Sequence, residues 1–259
     1  MKRQVVCHVG VTNSGKTYNA LNAMTYAKSG MYCGPLRLLA WEVSEKMKQK
    51  NIICDLITGQ ERESAESSTH RSCTVEMADL QNMYDIVVID ECQLLGDSSR
   101  GWAWTNALLG VRAKEIHLCG SASMLPIIYE LCKLTNEEVT VKTYSRLTPL
   151  SVSNKPLVSF KNIQKGDCVI GFGRQRLYET KRLIEHSNSG LKCCVIYGGL
   201  PPEARKGQAQ LFSEPDSGFD VLVASDAIGM GLNLSIKRII FSTTEKFDGR
   251  RRRQLFPAV

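Results

Sequence analysis

Short apolar runs alternate along this chain with stretches in which apolar residues recur every three or four positions. Residues 4–9, with Val5, Val6, Cys7 and Val9, predict a buried strand, and residues 16–28 predict the helix after it. Leu36, Leu39, Ala40, Val43 and Met47 fall on one face of a second helix over residues 36–50. A buried strand is predicted at 86–90, a helix at 102–112 and another strand at 115–119. The pattern then breaks over 147–156, where Pro149, Ser151, Ser153, Asn154, Lys155 and Pro156 have linker character. Beyond it, strands at 168–172, 192–197, 220–224 and 237–241 enclose helices at 177–186 and 202–212. Strands alternating with helices predict an α/β fold with parallel sheets, here as two lobes in tandem. The expected division is a first lobe over 1–146, a linker over 147–158, a second and shorter lobe over 159–248, and a basic tail over 249–259. That tail carries four consecutive arginines without periodicity and is expected to be a solvated, disordered end.

Composition adds bounds rather than an identity. Of 259 residues 43% are hydrophobic and 23% charged, ordinary values for a globular chain with a sizeable core. No apolar run approaches the roughly 20 residues of a membrane span, so no membrane partner is expected. Residues 1–4 lead straight into the first strand, which leaves no room for a presequence and predicts a cytosolic protein or one cut from a longer precursor. A formal charge of +7 suits a polyanionic partner. The ten cysteines form no CxxC pair, and several sit within apolar strands. They predict core thiols in a reducing compartment and argue against zinc.

The chemistry is concentrated in two segments. Gly10-Val11-Thr12-Asn13-Ser14-Gly15-Lys16-Thr17 fits GxxxxGK[ST] in full, between a predicted strand and a predicted helix. Backbone N–H groups of such a loop wrap a phosphate, and the helix start adds the positive end of its dipole. Lys16 is expected to reach the β and γ phosphates and Thr17 to ligate Mg2+. Asp90-Glu91-Cys92-Gln93 follows the apolar run 86–89. At that strand end Asp90 is expected to hold Mg2+, directly or through water, and Glu91 to polarise the attacking water as general base.

Three classes of phosphate-loop protein fit so far. A GTPase needs an Asn-Lys-x-Asp signature, and Asn154-Lys155-Pro156-Leu157 lacks the aspartate. A small-molecule kinase of the thymidine kinase type predicts a zinc-binding CxxC pair and no second lobe. The second lobe favours a superfamily 2 helicase. Residues 221–233, which include Ser225, Asp226, Gly229 and Asn233, resemble helicase motif V. Tyr197-Gly198-Gly199-Leu200-Pro201-Pro202 resembles the segment before it, Ser121-Ala122-Ser123 the motif that couples the lobes, and Phe172, Arg174 and Arg176 motif IV.

A narrower resemblance lies in Pro35-Leu36-Arg37-Leu38-Leu39-Ala40, Ser72-Cys73-Thr74-Val75-Glu76-Met77, Gly101-Trp102-Ala103-Trp104-Thr105 and Arg146-Leu147-Thr148-Pro149. Together with residues 226–240 these look like the mitochondrial RNA-degradosome helicase family, over residues 5–241. The resemblance implies two RecA-like domains, the second incomplete in this sequence, and a 3′-to-5′ RNA helicase driven by ATP and Mg2+. It also implies RNA and a degradosome exoribonuclease as partners, and the mitochondrial matrix as location, with cytoplasm and nucleus left open. Gly10, Thr12, Asn13, Ser14, Gly15, Lys16, Thr17, Asp90, Gln93, Asp226 and Gly229 are the nucleotide contacts it suggests. Thr58, Gly59, Thr74, Ser225 and Asn233 are the RNA contacts. Trp102 and Trp104 are expected to pack within the first lobe, and Phe172 to be core rather than a base-stacking platform.

Departures from the family pattern are Cys92 for an aliphatic residue, Ser121-Ala122-Ser123 itself, and Ser225 for threonine. The family's arginine-finger segment, Gln-x-x-Gly-Arg-x-Gly-Arg, is expected after residue 241, and 249–253 lack its glycine spacing. Such a finger contributes about 10³ to 10⁵ in rate. The expectation is therefore ATP binding with impaired hydrolysis. A noncatalytic RNA- or partner-binding remnant is the alternative.

Overall fold

In the first half of the chain, successive strand residues are buried alternately against two different helix layers. The computed structural model describes residues 2–229, 234–247 and 251–255. It divides into two compact units, Met1–Ser151 and Val152–Val259.

The first unit runs β1 (Gln4–Gly10), α1 (Lys16–Tyr26), β2 (Gly30–Gly34), α2 (Arg37–Gln49), β3 (Cys54–Ile57), β4 (Arg62–Glu63), β5 (His70–Thr74), β6 (Met83–Ile89), α3 (Gly101–Gly110), β7 (Arg112–Gly120), α4 (Leu125–Leu134) and β8 (Val139–Tyr144). Its sheet has the order β4-β3-β5-β2-β6-β7-β1-β8, parallel throughout except for the β3–β4 pair. Cys7, Cys33, Val87, Ile89 and Leu118 pack with Trp104, Leu108 and Ile128 of α3 and α4. Their neighbours Tyr32, Val88 and Cys119 pack on the other face with Ala20, Met24, Val43 and Met47 of α1 and α2. The strand period of two thus feeds both layers, and the strands read as continuous apolar runs.

The second unit repeats this plan with β9 (Asp167–Ile170), α5 (Arg174–Ser187), β10 (Cys193–Ile196), α6 (Pro202–Ser213), β11 (Val221–Ala224) and β12 (Arg238–Phe241). Its parallel sheet has the order β10-β11-β9-β12. Val169, Val195 and Val223 face Leu177 and Ile184 of α5, whereas Cys168, Cys194 and Leu222 face Ala209 and Phe212 of α6. All ten cysteines are buried free thiols, as the apolar context predicts.

Three expectations are corrected. The tail is not a structureless end: β13 (Glu245–Phe247) pairs antiparallel with β14 (Arg252–Gln254). Gly249, Arg250 and 256–259, also assigned to that tail, lie outside the described residues. Arg112, expected to end a helix, begins β7, because α3 stops at Gly110. Trp102, expected to pack, is 60% exposed, and only Trp104 enters the core.

The face of β1 opposite α3 and α4 carries polar groups. Glu115 Oε2, which can only accept, lies 3.2 Å from His117 Nε2; His117 Nδ1 lies 2.9 Å from His8 Nε2; His8 Nδ1 lies 2.7 Å from the Tyr144 hydroxyl. Starting from that acceptor, one set of tautomers satisfies every atom with both histidines neutral. Burial, then His117 and Lys142, push His8 down to about 4, and burial also pushes His117 down. A histidine with a lowered folded pKa gives stability that is fully present above the ordinary value of 6.5 and is lost as pH falls toward 4. For His8 that loss reaches about 2 kcal/mol at pH 5. We predict that His8→Gln, which keeps one donor and one acceptor, is less stable than the parent at pH 8 but loses about 2 kcal/mol less between pH 8 and pH 5. Urea unfolding at the two pH values measures this, and an unchanged pH dependence would count against the neutral chain.

Candidate functional site

In a parallel α/β sheet the loops at the carboxyl ends of the strands bind ligands. In the first unit that edge gathers the ends of β1, β2, β5 and β6. Residues 11–15 turn there from β1 into α1, with Asn13 (φ 58°) and Gly15 (φ 81°) both left-handed. Gly10 has to be glycine: a Cβ there would sit 2.5 Å from Ser14 Oγ and 2.9 Å from the Tyr144 carbonyl oxygen. The first turn of α1 has no side-chain cap, so its N–H groups stay available to an anion. Among the described residues Ser14 Oγ has no partner, although it is buried. The Lys16 ammonium lies over the loop, 3.5 Å from the Val11 carbonyl oxygen.

Two of the loop's carbonyls are occupied by the chain that follows β8. Arg146 Nη1 donates to the Thr12 oxygen at 3.0 Å, and Leu147 N donates to the Asn13 oxygen at 2.9 Å. Asn13 Nδ2 lies 3.4 Å from Thr148 Oγ1. The first two residues of the span assigned to a linker are therefore fastened to the phosphate loop.

Asp90 follows β6 and is 4% exposed. Thr17 Oγ1 donates to its Oδ1 at 3.1 Å and the Glu91 N–H at 2.9 Å, while the Tyr32 hydroxyl donates to Oδ2 at 3.2 Å. Trp104 Nε1 donates to the Asp90 carbonyl oxygen at 2.8 Å. Burial first, then the Glu91 charge, push Asp90 up to about 6, against the Glu91 N–H, Thr17 and Lys16. Glu91 is left-handed (φ 53°), and its carboxylate accepts from Gln93 Nε2. The Gln93 amide oxygen in turn accepts from Ser121 N at 3.3 Å, and the Ser121 and Ser123 hydroxyls are 2.7 Å apart. Thr17 and Asp90 present hard oxygen donors beside a phosphate cradle that still has a partnerless buried hydroxyl. These residues fit Mg2+.

The expected RNA contacts are more dispersed. Thr58 follows β3, and its hydroxyl already accepts from the Gln60 and Glu61 N–H groups at 3.4 and 3.0 Å. Gly59 is exposed, and Thr74 ends β5 as a buried residue. In the second unit Ser225 follows β11, where its hydroxyl accepts from Ala227 N at 3.2 Å. Asp226 is ion-paired with Lys246, and Gly229 follows in the same turn. Phe172 packs against the core of its unit, as expected. Asn233 lies outside the described residues.

Sequence reasoning missed the roles of Tyr32, Trp104 and Arg146. The last two stood in stretches singled out for resemblance, without a contact to assign. Tyr32 lies in a strand bracketed by Gly30 and Gly34 and carried no signal.

Comparison with known proteins decides the family. A family model described as the DEXQ-box helicase domain of Suv3 matches residues 1–144. The chain belongs to the Suv3 family. A second model, the helicase conserved C-terminal domain, matches residues 153–253. This Suv3-family chain is 54% identical over 254 residues to "ATP-dependent RNA helicase SUV3, mitochondrial" of Oryza sativa subsp. japonica, covering 98% of the chain and 44% of that relative. It is 49% identical over 245 residues to "ATP-dependent RNA helicase SUPV3L1, mitochondrial" of Homo sapiens, covering 93% and 31%. The chain thus spans less than half the length of these curated relatives. The kinase alternative ends with the family match. Among solved structures, Saccharomyces cerevisiae Dbp5 matches with a TM-score of 0.67 at 12% identity, covering 95% of this chain and 71% of that one. Escherichia coli HrpB matches at 0.63 and 13%, covering 94% and 35%. These likenesses give the fold, α/β and RecA-like, as the resemblance to the mitochondrial RNA-degradosome helicase family implied.

A carboxylate whose folded value lies above its unfolded 3.8 gives stability below that pH and loses it as pH rises through about 6. The loss amounts to about 3 kcal/mol when complete. We predict that Asp90→Asn raises the stability of the nucleotide-free Suv3-family chain at pH 8 by about 1 to 3 kcal/mol, and by roughly half as much at pH 5. Calorimetric melting at both pH values checks it. No gain at pH 8 would contradict the raised Asp90.

Proposed function

We propose that this chain carries the nucleotide site and part of the RNA grip of an ATP-dependent RNA helicase. The observation that carries the reading is the meeting of Lys16, Thr17, Asp90, Glu91 and Gln93 around one phosphate loop. The loop N–H groups and the uncapped start of α1 hold the phosphates, with Gly10, Thr12, Asn13, Ser14 and Gly15 shaping the cradle. Lys16 turns from the Val11 carbonyl to the β and γ phosphates. Thr17 and Asp90 hold Mg2+, which supplies charge neutralisation at the phosphate oxygens. Glu91 orients the attacking water and takes its proton, and Gln93 holds the Glu91 carboxylate in place. In the second unit's motif V, Asp226 and Gly229 are the residues assigned to nucleotide contact.

RNA is gripped through its backbone by Thr58, Gly59, Thr74, Ser225 and Asn233. The support is placement: Thr58, Thr74 and Ser225 each stand just at or beyond the carboxyl end of a parallel strand. The division at 146, 158 and 248 is retained as the working domain scheme, with Arg146, Leu147 and Thr148 serving the first lobe. The names of the relatives support a mitochondrial location and RNA as substrate. Polarity from 3′ to 5′, matrix residence and an exoribonuclease partner in RNA degradation complete the reading.

The test is nucleotide binding by the 259-residue chain, followed with a fluorescent ATP analogue and Mg2+. Lys16→Ala is expected to weaken affinity about 10- to 100-fold, the equivalent of the 1.5 to 3 kcal/mol of a charge-assisted bond. Glu91→Gln is expected to stay within about threefold of the parent, because a general base contributes to the reaction more than to binding. Unchanged affinity in Lys16→Ala removes the phosphate-loop assignment.

A further inference from the structure

Asp90 is one of two side chains proposed to hold the metal, and only one of its oxygens faces the other, Thr17. Oδ1 takes the Thr17 hydroxyl and the Glu91 N–H, so it is the oxygen turned toward the phosphate loop. Oδ2 points the opposite way, to the Tyr32 hydroxyl at 3.2 Å. A carboxylate rotates freely about its terminal torsion unless both oxygens are engaged, and no other described side chain donates to Oδ2.

Tyr32 itself has little freedom. It is 1% exposed and packs with Ala20, Met24 and Val43 beneath α1 and α2. The backbone of Gly34 closes over its ring: a Cβ there would lie 2.8 Å from Cε1 and 2.9 Å from the hydroxyl. The strand that carries Tyr32 is also bonded to Asp90 through the main chain, since Asp90 N donates to the Cys33 carbonyl oxygen at 3.0 Å. Backbone and side chain of the acid are therefore referenced to the same two residues of β2.

We propose, resting on the nucleotide-site reading above, that Tyr32 is a positioning residue for the metal: its hydroxyl holds Asp90 Oδ2 so that Oδ1 stays aimed at Thr17 and the phosphate loop. Tyr32 touches neither nucleotide nor metal and acts through Asp90. Residues that orient a ligating carboxylate from behind typically change metal affinity 10- to 100-fold when removed. Besides the Thr17 hydroxyl, the titratable groups that act electrostatically on the Asp90 carboxylate are Lys16 from α1, Tyr32 from β2, Glu91 and Cys92 from its own loop, and Cys119 from β7. Of these, Tyr32 is the one whose loss leaves Oδ2 without a donor.

The experiment measures binding of a fluorescent ADP analogue to the 259-residue chain at pH 8, first in EDTA and then across a Mg2+ titration. Tyr32→Phe removes one oxygen and keeps the packed ring. It is expected to raise the Mg2+ concentration at half-effect about 10-fold while leaving the affinity in EDTA within about twofold. Trp104→Phe is the comparator, because it removes a donor to the Asp90 main chain but none to its carboxylate. It is expected to lower the melting temperature and leave the Mg2+ midpoint in place. A Tyr32→Phe midpoint equal to the parent's overturns the proposal. So does a parallel loss in EDTA and in Mg2+, which marks a packing defect. If the parent chain binds no nucleotide, or binds it with no response to Mg2+, the nucleotide-site reading fails and takes Tyr32's role with it.

Discussion

An ionisable acid inside a protein is costly unless donors surround it, and the first unit is arranged around one such acid. Asp90 arrives at the end of β6 after Val87, Val88 and Ile89, three fully buried apolar residues. Its main-chain N–H goes to β2 and its carbonyl oxygen receives the indole of α3. Its carboxylate takes a hydroxyl from α1, a hydroxyl from β2 and the next N–H of its own chain. Helices on both sheet faces are thus tied to a single residue. Trp104 can be buried, as the exposed Trp102 is not, because its indole N–H meets the Asp90 carbonyl oxygen inside the core.

The same rule governs the other polar groups of the sheet. His70 and Ser72 lie in β5, where an apolar strand would be expected, and each bonds a helix carbonyl. His70 Nε2 lies 3.0 Å from the Met24 oxygen, and Ser72 Oγ donates to the Ala40 oxygen at 2.6 Å. His8 and His117 satisfy one another across β1 and β7 and hand the chain on to Tyr144 and Glu115. A sheet covered on both faces tolerates polar side chains only when a partner sits within reach; for His70 and Ser72 it comes from the covering helices, and for His8 and His117 from the strands of the sheet itself.

That rule also sets what the sequence could disclose. The phosphate loop and Asp90-Glu91-Cys92-Gln93 were legible because their chemistry needs particular residues at fixed short spacing, next to an apolar strand. Strands β1, β6, β9, β10 and β11 were legible from apolar runs. Strand β2 was not, since Gly-Met-Tyr-Cys-Gly mimics a turn at both ends, nor was β5, whose His-Arg-Ser-Cys-Thr composition is polar for reasons that only the neighbouring helices reveal. The basic tail misled for a related reason: Arg252 to Gln254 form a strand only by pairing with Glu245 to Phe247, a relation invisible in a run of arginines. Tyr32 was hidden because a lone tyrosine in a strand looks like core until the oxygen it faces is known.

A phosphate loop has two sides with opposite needs, and this is where Arg146, Leu147 and Thr148 matter. The N–H groups have to stay unpaired to meet an anion, whereas the carbonyls pointing away would be left exposed or unsatisfied as the chain turns. In this molecule the Thr12 and Asn13 oxygens are taken by Arg146 and Leu147, and the Gly15 oxygen by Asn19. With these three acceptors filled, the left-handed Asn13 and Gly15 are held in a curvature that leaves loop N–H groups available to an anion. The anion-binding side is therefore prepared by satisfying the opposite side. Leu147, the first residue of a span whose sequence has the marks of a linker, supplies one of those bonds, and Arg146 just before it supplies another.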